Sequence, residues 1–94
     1  MNDGEFEWDE AKAAANLKKH KISFATASRV FDDPDLFVAA DSGPYDEQRF
    51  VAIGMVNAQL IVTIYTERGD SIRIISARKA TKHEQRTYDQ SQTA

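Results

Sequence analysis

The sequence predicts an α+β fold: an antiparallel sheet with two N-terminal helices and a C-terminal helix packed on one of its faces. Three observations carry this. Strong helix formers fill residues 10–19 behind an acidic start. Three strand-like runs follow one another between residues 49 and 77 across short turns. Thr81 and Glu84 stand in the spacing of a capping box. Hairpins this short leave no room for crossover helices, so the strands they join run antiparallel.

Taken in order, Phe6 and Trp8 alternate with Glu5 and Glu7, the period of a short strand, and both aromatics are expected to pack inward. Asp9 occupies an N-cap position, and Glu10 sits in the first turn, where the helix dipole favours an anion. On a helical wheel Ala11, Ala13, Ala14, Ala15 and Leu17 share one side, while Lys12, Asn16, Lys19 and His20 fall on the other. Ser23 caps a shorter helix with Phe24, Ala27, Val30 and Phe31 as its apolar face, closed by Asp33-Pro34. Strands are expected over residues 36–40, 49–56, 60–66 and 71–77. Residues 41–48 read as a polar loop, Asn57-Ala58 as a turn and Arg68-Gly69-Asp70 as a hairpin loop. The last helix starts at Lys82, is anchored by Tyr88 and Ala80, and is expected to fray after about Asp89. No repeat or linker divides the chain, which reads as a single domain over residues 1–94 with an ordered core over about residues 5–89.

The composition, 41% hydrophobic and 29% charged over 94 residues, is that of an ordinary globular domain. With no cysteine, disulfides, thiolate metal sites and a cysteine nucleophile are excluded. No apolar run approaches the length of a membrane span, and the N-terminus is acidic where a secretory signal would be basic, which predicts a cytoplasmic protein. The net charge of −3 is unevenly spread: residues 1–48 carry 11 acids and 5 bases, residues 49–94 carry 4 acids and 7 bases. Residues 68–86 hold six Arg or Lys and only two acids, the place to look for phosphate contact, although a solvated basic face has the same composition.

Strict alternation along the strand over residues 71–78 sends Ile72, Ile74, Ser76 and Arg78 one way and Arg73, Ile75 and Ala77 the other. Arg78 then emerges beside Lys79 at a strand end, an electropositive corner suited to a phosphate whose charge grows during reaction. The alternative is that Arg78 pairs with an acid such as Glu84. His20 and His83 are the only histidines, and imidazoles serve as general acids or bases near neutral pH. A cation at a helix C-terminus accounts equally for His20, and His83 on a polar turn can simply be solvated. Glu67 and Arg68 at the hairpin tip and Arg49 at a strand start have equally ordinary explanations. Tyr88 can anchor its helix, donate to a phosphate, or both. The histidines lack metal-ligand spacing, and no glycine-rich phosphate loop is present.

Phe6-Glu-Trp-Asp9 followed by Lys12, Asn16, Lys19-His20, Phe24 and Val30-Phe31 resembles the N-terminal half of the BrnT toxin family. Arg49 with Gly54, then residues 73–80 (RIISARKA), Glu84 and Tyr88, resembles its C-terminal half, so the likeness spans nearly the whole chain. The resemblance implies a RelE-like fold and a ribonuclease toxin of a type II toxin–antitoxin system that inhibits translation without a metal or organic cofactor. It further implies neutralisation by a BrnA-like antitoxin with a ribbon-helix-helix part, and repression of the operon through operator DNA bound only by the complex.

Cleavage by the RNA's own 2′-hydroxyl needs a base, cations for the phosphorane and an acid for the departing 5′-oxygen. On this reading Arg78 and Arg49 bind the scissile phosphate, and His20, Glu67 and Tyr88, in that order, are candidates for proton transfer. Lys79, Arg68, Lys19 and Lys82 are expected to bind RNA, and Arg73 and Arg86 to contact an acidic or polar antitoxin segment. The competing reading is a non-catalytic antitoxin-binding module or co-repressor, which the acidic total charge favours. An incidental basic edge on a structural protein is the third.

Overall fold

Among the described residues five strands and three helices follow one another as β1 (Phe6–Glu7), α1 (Glu10–His20), α2 (Phe24–Ser28), a 3-10 turn (Arg29–Asp32), β2 (Phe37–Asp41), β3 (Arg49–Val56), β4 (Gln59–Arg68), β5 (Ser71–Lys79) and α3 (Lys82–Ser91). The computed structural model describes residues 5–41, 43–44 and 46–92. The α+β class and most boundaries agree with the sequence reading. Of the polar loop over residues 41–48, Ser42 and Tyr45 lie outside the described residues. β4 and β5 run two residues longer at their C-terminal ends than expected, and α3 continues to Ser91.

The strands form one sheet in the order β1-β5-β4-β3-β2. β2 to β5 pair antiparallel, as hairpins require, but β1 pairs parallel with β5, placing Phe6 opposite Ile72 and Glu7 opposite Arg73. The sheet is therefore mixed, not purely antiparallel. β1 comes to β5 from the far end of the chain, so no hairpin dictates its direction.

A bulge between Ile64 and Tyr65 in the β4–β5 ladder resets the alternation along β5. Ile74 and Ala77 both reach the core beneath α1 and α2, whereas strict alternation separates them. Arg73, opposite Thr66, and Arg78, opposite Val62, are thereby brought to one face instead of two.

Side chains of the two faces build two cores. Ile22, Phe24, Ala27, Val30, Ala52, Ile61, Tyr65, Ile74 and Ala77 fill the space between α1, α2 and the sheet, with Phe6, Trp8 and Phe31 packed against them. On the other side Ile53 and Val62, which alternate with Ala52 and Ile61, meet Tyr88 of α3. So α3 packs on the opposite face from α1 and α2, not beside them. Tyr88 holds it there through a 2.6 Å bond from its hydroxyl to Asp33, whose carboxylate also accepts the Met55 N–H at 2.7 Å.

α1 also departs from the helical wheel. Ala11, Ala14, Ala15 and Leu17 are exposed, while Asn16 is buried. The Asn16 amide donates to the carbonyls of Ala77 (2.9 Å) and Ile22 (3.0 Å), and its oxygen accepts the Ala77 N–H (3.1 Å). Alanines bury too little surface to compete with three buried hydrogen bonds. The caps fall as expected on Asp9, Ser23 and Thr81. Asn57 and Ala58 both take positive φ, 51° and 64°, in the tight turn between β3 and β4.

Asn16→Ala strips Ala77 and Ile22 of these partners and is expected to destabilise the fold by about 3 kcal/mol or more, read as a lower urea midpoint. Ala58→Gly removes a Cβ from a left-handed position and is expected to raise stability by about 0.5–1 kcal/mol in the same titration.

Candidate functional site

Register decides which charged side chains share a face. Arg49 stands opposite Asp41 on one side and Thr66 on the other, and Thr66 stands opposite Arg73, which in turn lies beside Glu7. The next row along is Ala39, Val51, Ile64 and Ser76, and the one after it is Phe37, Ile53, Val62 and Arg78. Arg68, two residues beyond Thr66 on β4, joins the same face by alternation. Four arginines are thus gathered on the face opposite α1 and α2, around Val51, Ile64, Thr66 and Ser76. α3 covers the end of this face near the Asn57-Ala58 turn, where Tyr88 sits on Ile53 and Val62. Strand spacing puts the Cα atoms of Arg49 and Arg73 roughly 10 Å apart, and those of Arg73 and Arg78 roughly 15 Å. That span suits neighbouring phosphates of one strand better than a single phosphate.

Carboxylates hold Arg78, Arg73 and Arg68. Arg78 forms a two-pronged pair with Glu84, Nη1 to Oε1 at 2.7 Å and Nη2 to Oε2 at 2.8 Å, so the local alternative read from the sequence is realised. Arg73 binds Glu7 at 2.8 Å and Arg68 binds Glu47 at 3.3 Å. The Arg78 side chain stays 39% exposed, leaving part of the guanidinium open to an anion while Glu84 fixes its plane. Its hydrogen bond to Glu84 raises the pKa of Arg78. The same bond, with help from the Thr81 N–H, lowers that of Glu84 to about 2.

The proton-transfer candidates are dispersed. His20, half-buried at the end of α1, lines a groove of about 240 Å³ with Lys12, Lys19, Asn16, Ile75 and Ser76. Ser76 belongs both to this groove and to the arginine face, so the two clusters meet across β5. Glu67 is exposed opposite Ile72, on the helix-bearing side of the sheet. The Tyr88 hydroxyl is buried, and burial together with the Asp33 carboxylate pushes its pKa up to about 12. Lys79 lines a separate cleft with Leu60, Ala80, Gln85 and Asp89. Lys82, His83 and Arg86 are exposed on α3. Sequence reasoning missed the roles of Asn16 and Asp33, since nothing near either residue in the chain announces partners 61 or 22 residues away. Among the described residues no group of three or more His, Asp or Glu could hold a metal ion, and no helix is long and apolar enough to cross a membrane.

The architecture defines a small α+β protein with one mixed sheet, one face closed by helices and the other presenting arginines beside a single terminal helix. The family model of the ribonuclease toxin BrnT of type II toxin–antitoxin systems matches residues 8–84, and the chain belongs to that family. No curated protein matches it. The match takes in α1, the whole sheet apart from β1, and the Arg78–Glu84 pair.

The Glu84 carboxyl is lowered from 4.5 to about 2 in the fold. Its contribution to stability is therefore complete above its ordinary pKa and fades as pH falls through the window from 4.5 to about 2. Glu84→Gln is expected to cost on the order of 1–2 kcal/mol at neutral pH and little near pH 2. Urea titrations of both proteins across pH check this, the two curves converging at the acid end.

Proposed function

We propose that the chain is a metal-independent endoribonuclease that inhibits translation by cleaving RNA on its arginine-bearing sheet face. The observation that carries this reading is the register that brings Arg49, Arg68, Arg73 and Arg78 to one face of the sheet. Within a family of ribonuclease toxins, such a face supplies fixed cations for a polyanion. Arg78, oriented by Glu84, holds the scissile phosphate, and Arg49 stands across β4 to hold it or its neighbour. Lys79, Lys82, Arg68 and Lys19 extend the track at the periphery.

The 2′-hydroxyl attacks the adjacent phosphorus, the bond to the 5′-oxygen breaks, and a 2′,3′-cyclic phosphate remains on the upstream fragment. One group removes the 2′ proton and another returns a proton to the 5′-oxygen. His20 is the first candidate because its groove meets the arginine face at Ser76. Glu67 and Tyr88 follow, Tyr88 last because its hydroxyl already donates to Asp33.

Family membership brings an antitoxin partner. We take it to be a BrnA-like ribbon-helix-helix protein that covers Arg73 and Arg86 and represses the operon as a complex in the cytoplasm. We take this arrangement, a helix-covered sheet with a helix at the edge of its open face, to be RelE-like. Neutralisation of Arg68, Arg73 and Arg78 by carboxylates favours the second reading, a non-catalytic antitoxin-binding module.

Cleavage of a defined RNA in EDTA distinguishes the two. Wild type and Glu84→Gln, which keeps the guanidinium, are expected to cleave, and folded Arg78→Ala to lose at least about 100-fold in rate, the scale of one transition-state donor. No cleavage by folded wild type, alone or with translating ribosomes, would favour the binding module.

A further inference from the structure

The two edges of the sheet are finished differently. Three bonds settle which backbone groups face outward: Met55 N–H donates to Asp33 on the β2 side of β3, Ala80 N–H donates to Leu60 on the β5 side of β4, and Ala77 turns both its groups to Asn16. With residues directly opposite in the β2–β3 ladder, Phe37, Ala39 and Asp41 bond β3, and Val38 and Ala40 turn their N–H and C=O groups away from the sheet. The β5 edge is closed by β1 at Ile72 and Arg73 and by Asn16 at Ala77. The β2 edge, among the described residues, has no such cover. Among the described residues no hydrogen bond reaches the outward groups of Val38 or Ala40. Both residues are exposed, Val38 to 44%.

Open edges are usually guarded by lysines, prolines or bulges, and β2, with the sequence Phe-Val-Ala-Ala-Asp, carries none of these. Acids bracket it instead: Asp35 lines the cleft at its start, and Asp41 is its last residue. Beside its first residues an open cleft of about 450 Å³ runs between residues 34–38 and Ser91-Gln92 of the α3 terminus.

We infer that β2 is a docking edge for an extended, cationic segment of the antitoxin, which adds to the sheet as a sixth strand. Backbone bonds to Val38 and Ala40 supply the attachment, the acids select Lys or Arg, and the cleft receives a side chain at the strand's start. Two copies of this chain pairing through β2 would set acidic rims against each other, so charge disfavours self-association. A polyanion such as RNA is turned away from this edge and kept to the arginine face. The inference rests on the toxin–antitoxin family assignment and not on RNA cleavage.

The test uses full-length protein and a ten-residue peptide alternating Lys with Val or Thr, observed by amide exchange and chemical shift. Expected is at least tenfold protection of the Val38 and Ala40 amides, weakening as salt rises, with no effect from the same peptide bearing Glu for Lys. Val38→Pro, which removes an outward N–H and no ladder bond, is expected to abolish the protection while cleaving RNA as wild type does. Absence of protection, equal protection by the acidic peptide, or protection arising from concentration-dependent dimers without peptide would each overturn the inference. A cleavage defect in Arg78→Ala is unaffected by any of these outcomes, so this inference and the proposed activity fail separately.

Discussion

The carboxamide of Asn16 decides where the first helix lies. Buried backbone groups need partners, Ala77 of β5 is fully buried, and β5 receives only two residues of β1 before that strand ends. Asn16 serves as the missing partner, taking both groups of Ala77 and also binding Ile22 in the turn to α2. Because most alanines of α1 look outward, apolar burial alone defines the helix position weakly. The amide ties helix, turn and strand together, and in doing so sets Lys12, Lys19 and His20 along the rim of β5. Asp33 acts alike at the other side of the sheet, where it takes the Met55 N–H beyond the end of β2 and receives the Tyr88 hydroxyl. Two short polar side chains thus stand in for backbone where strands run out.

What the sequence disclosed and what it withheld follows the distance over which each signal acts. The caps at Asp9, Ser23 and Thr81 and the span of β3 depend on residues within a few positions, and these were legible. The parallel pairing of β1, the burial of Asn16 and the face chosen by α3 depend on partners more than fifty residues away, and local patterns carry no trace of them. The basic character of residues 68–86 was plain, and so was the chance that Arg78 would meet Glu84. The convergence of Arg73 and Arg78 was not, because an odd spacing of five places them on opposite faces until the bulge in the β4–β5 ladder restores the match. One extra residue in a strand therefore separates a scattered set of cations from a common surface.

The uneven charge along the chain also becomes an uneven charge in space. Three of the four face arginines come from the second half of β4 and from β5, and the fourth from the start of β3. Asp35 and Asp41 lie at the two ends of β2. Glu7 and Glu47, both from the acidic half, cross to pair with Arg73 and Arg68. The sheet face is consequently less positive than its arginine count indicates, in keeping with a chain of net negative charge.

Glu84 performs two tasks with one carboxylate: Oε1 accepts both the Thr81 N–H that starts α3 and one prong of Arg78, while Oε2 takes the other prong. The fraction of α3 that is wound and the charge displayed by Arg78 are therefore thermodynamically linked quantities. Whatever unwinds the first turn of this helix uncovers a full positive charge on the sheet, and an anion that draws Arg78 away loosens the helix start by the same free energy.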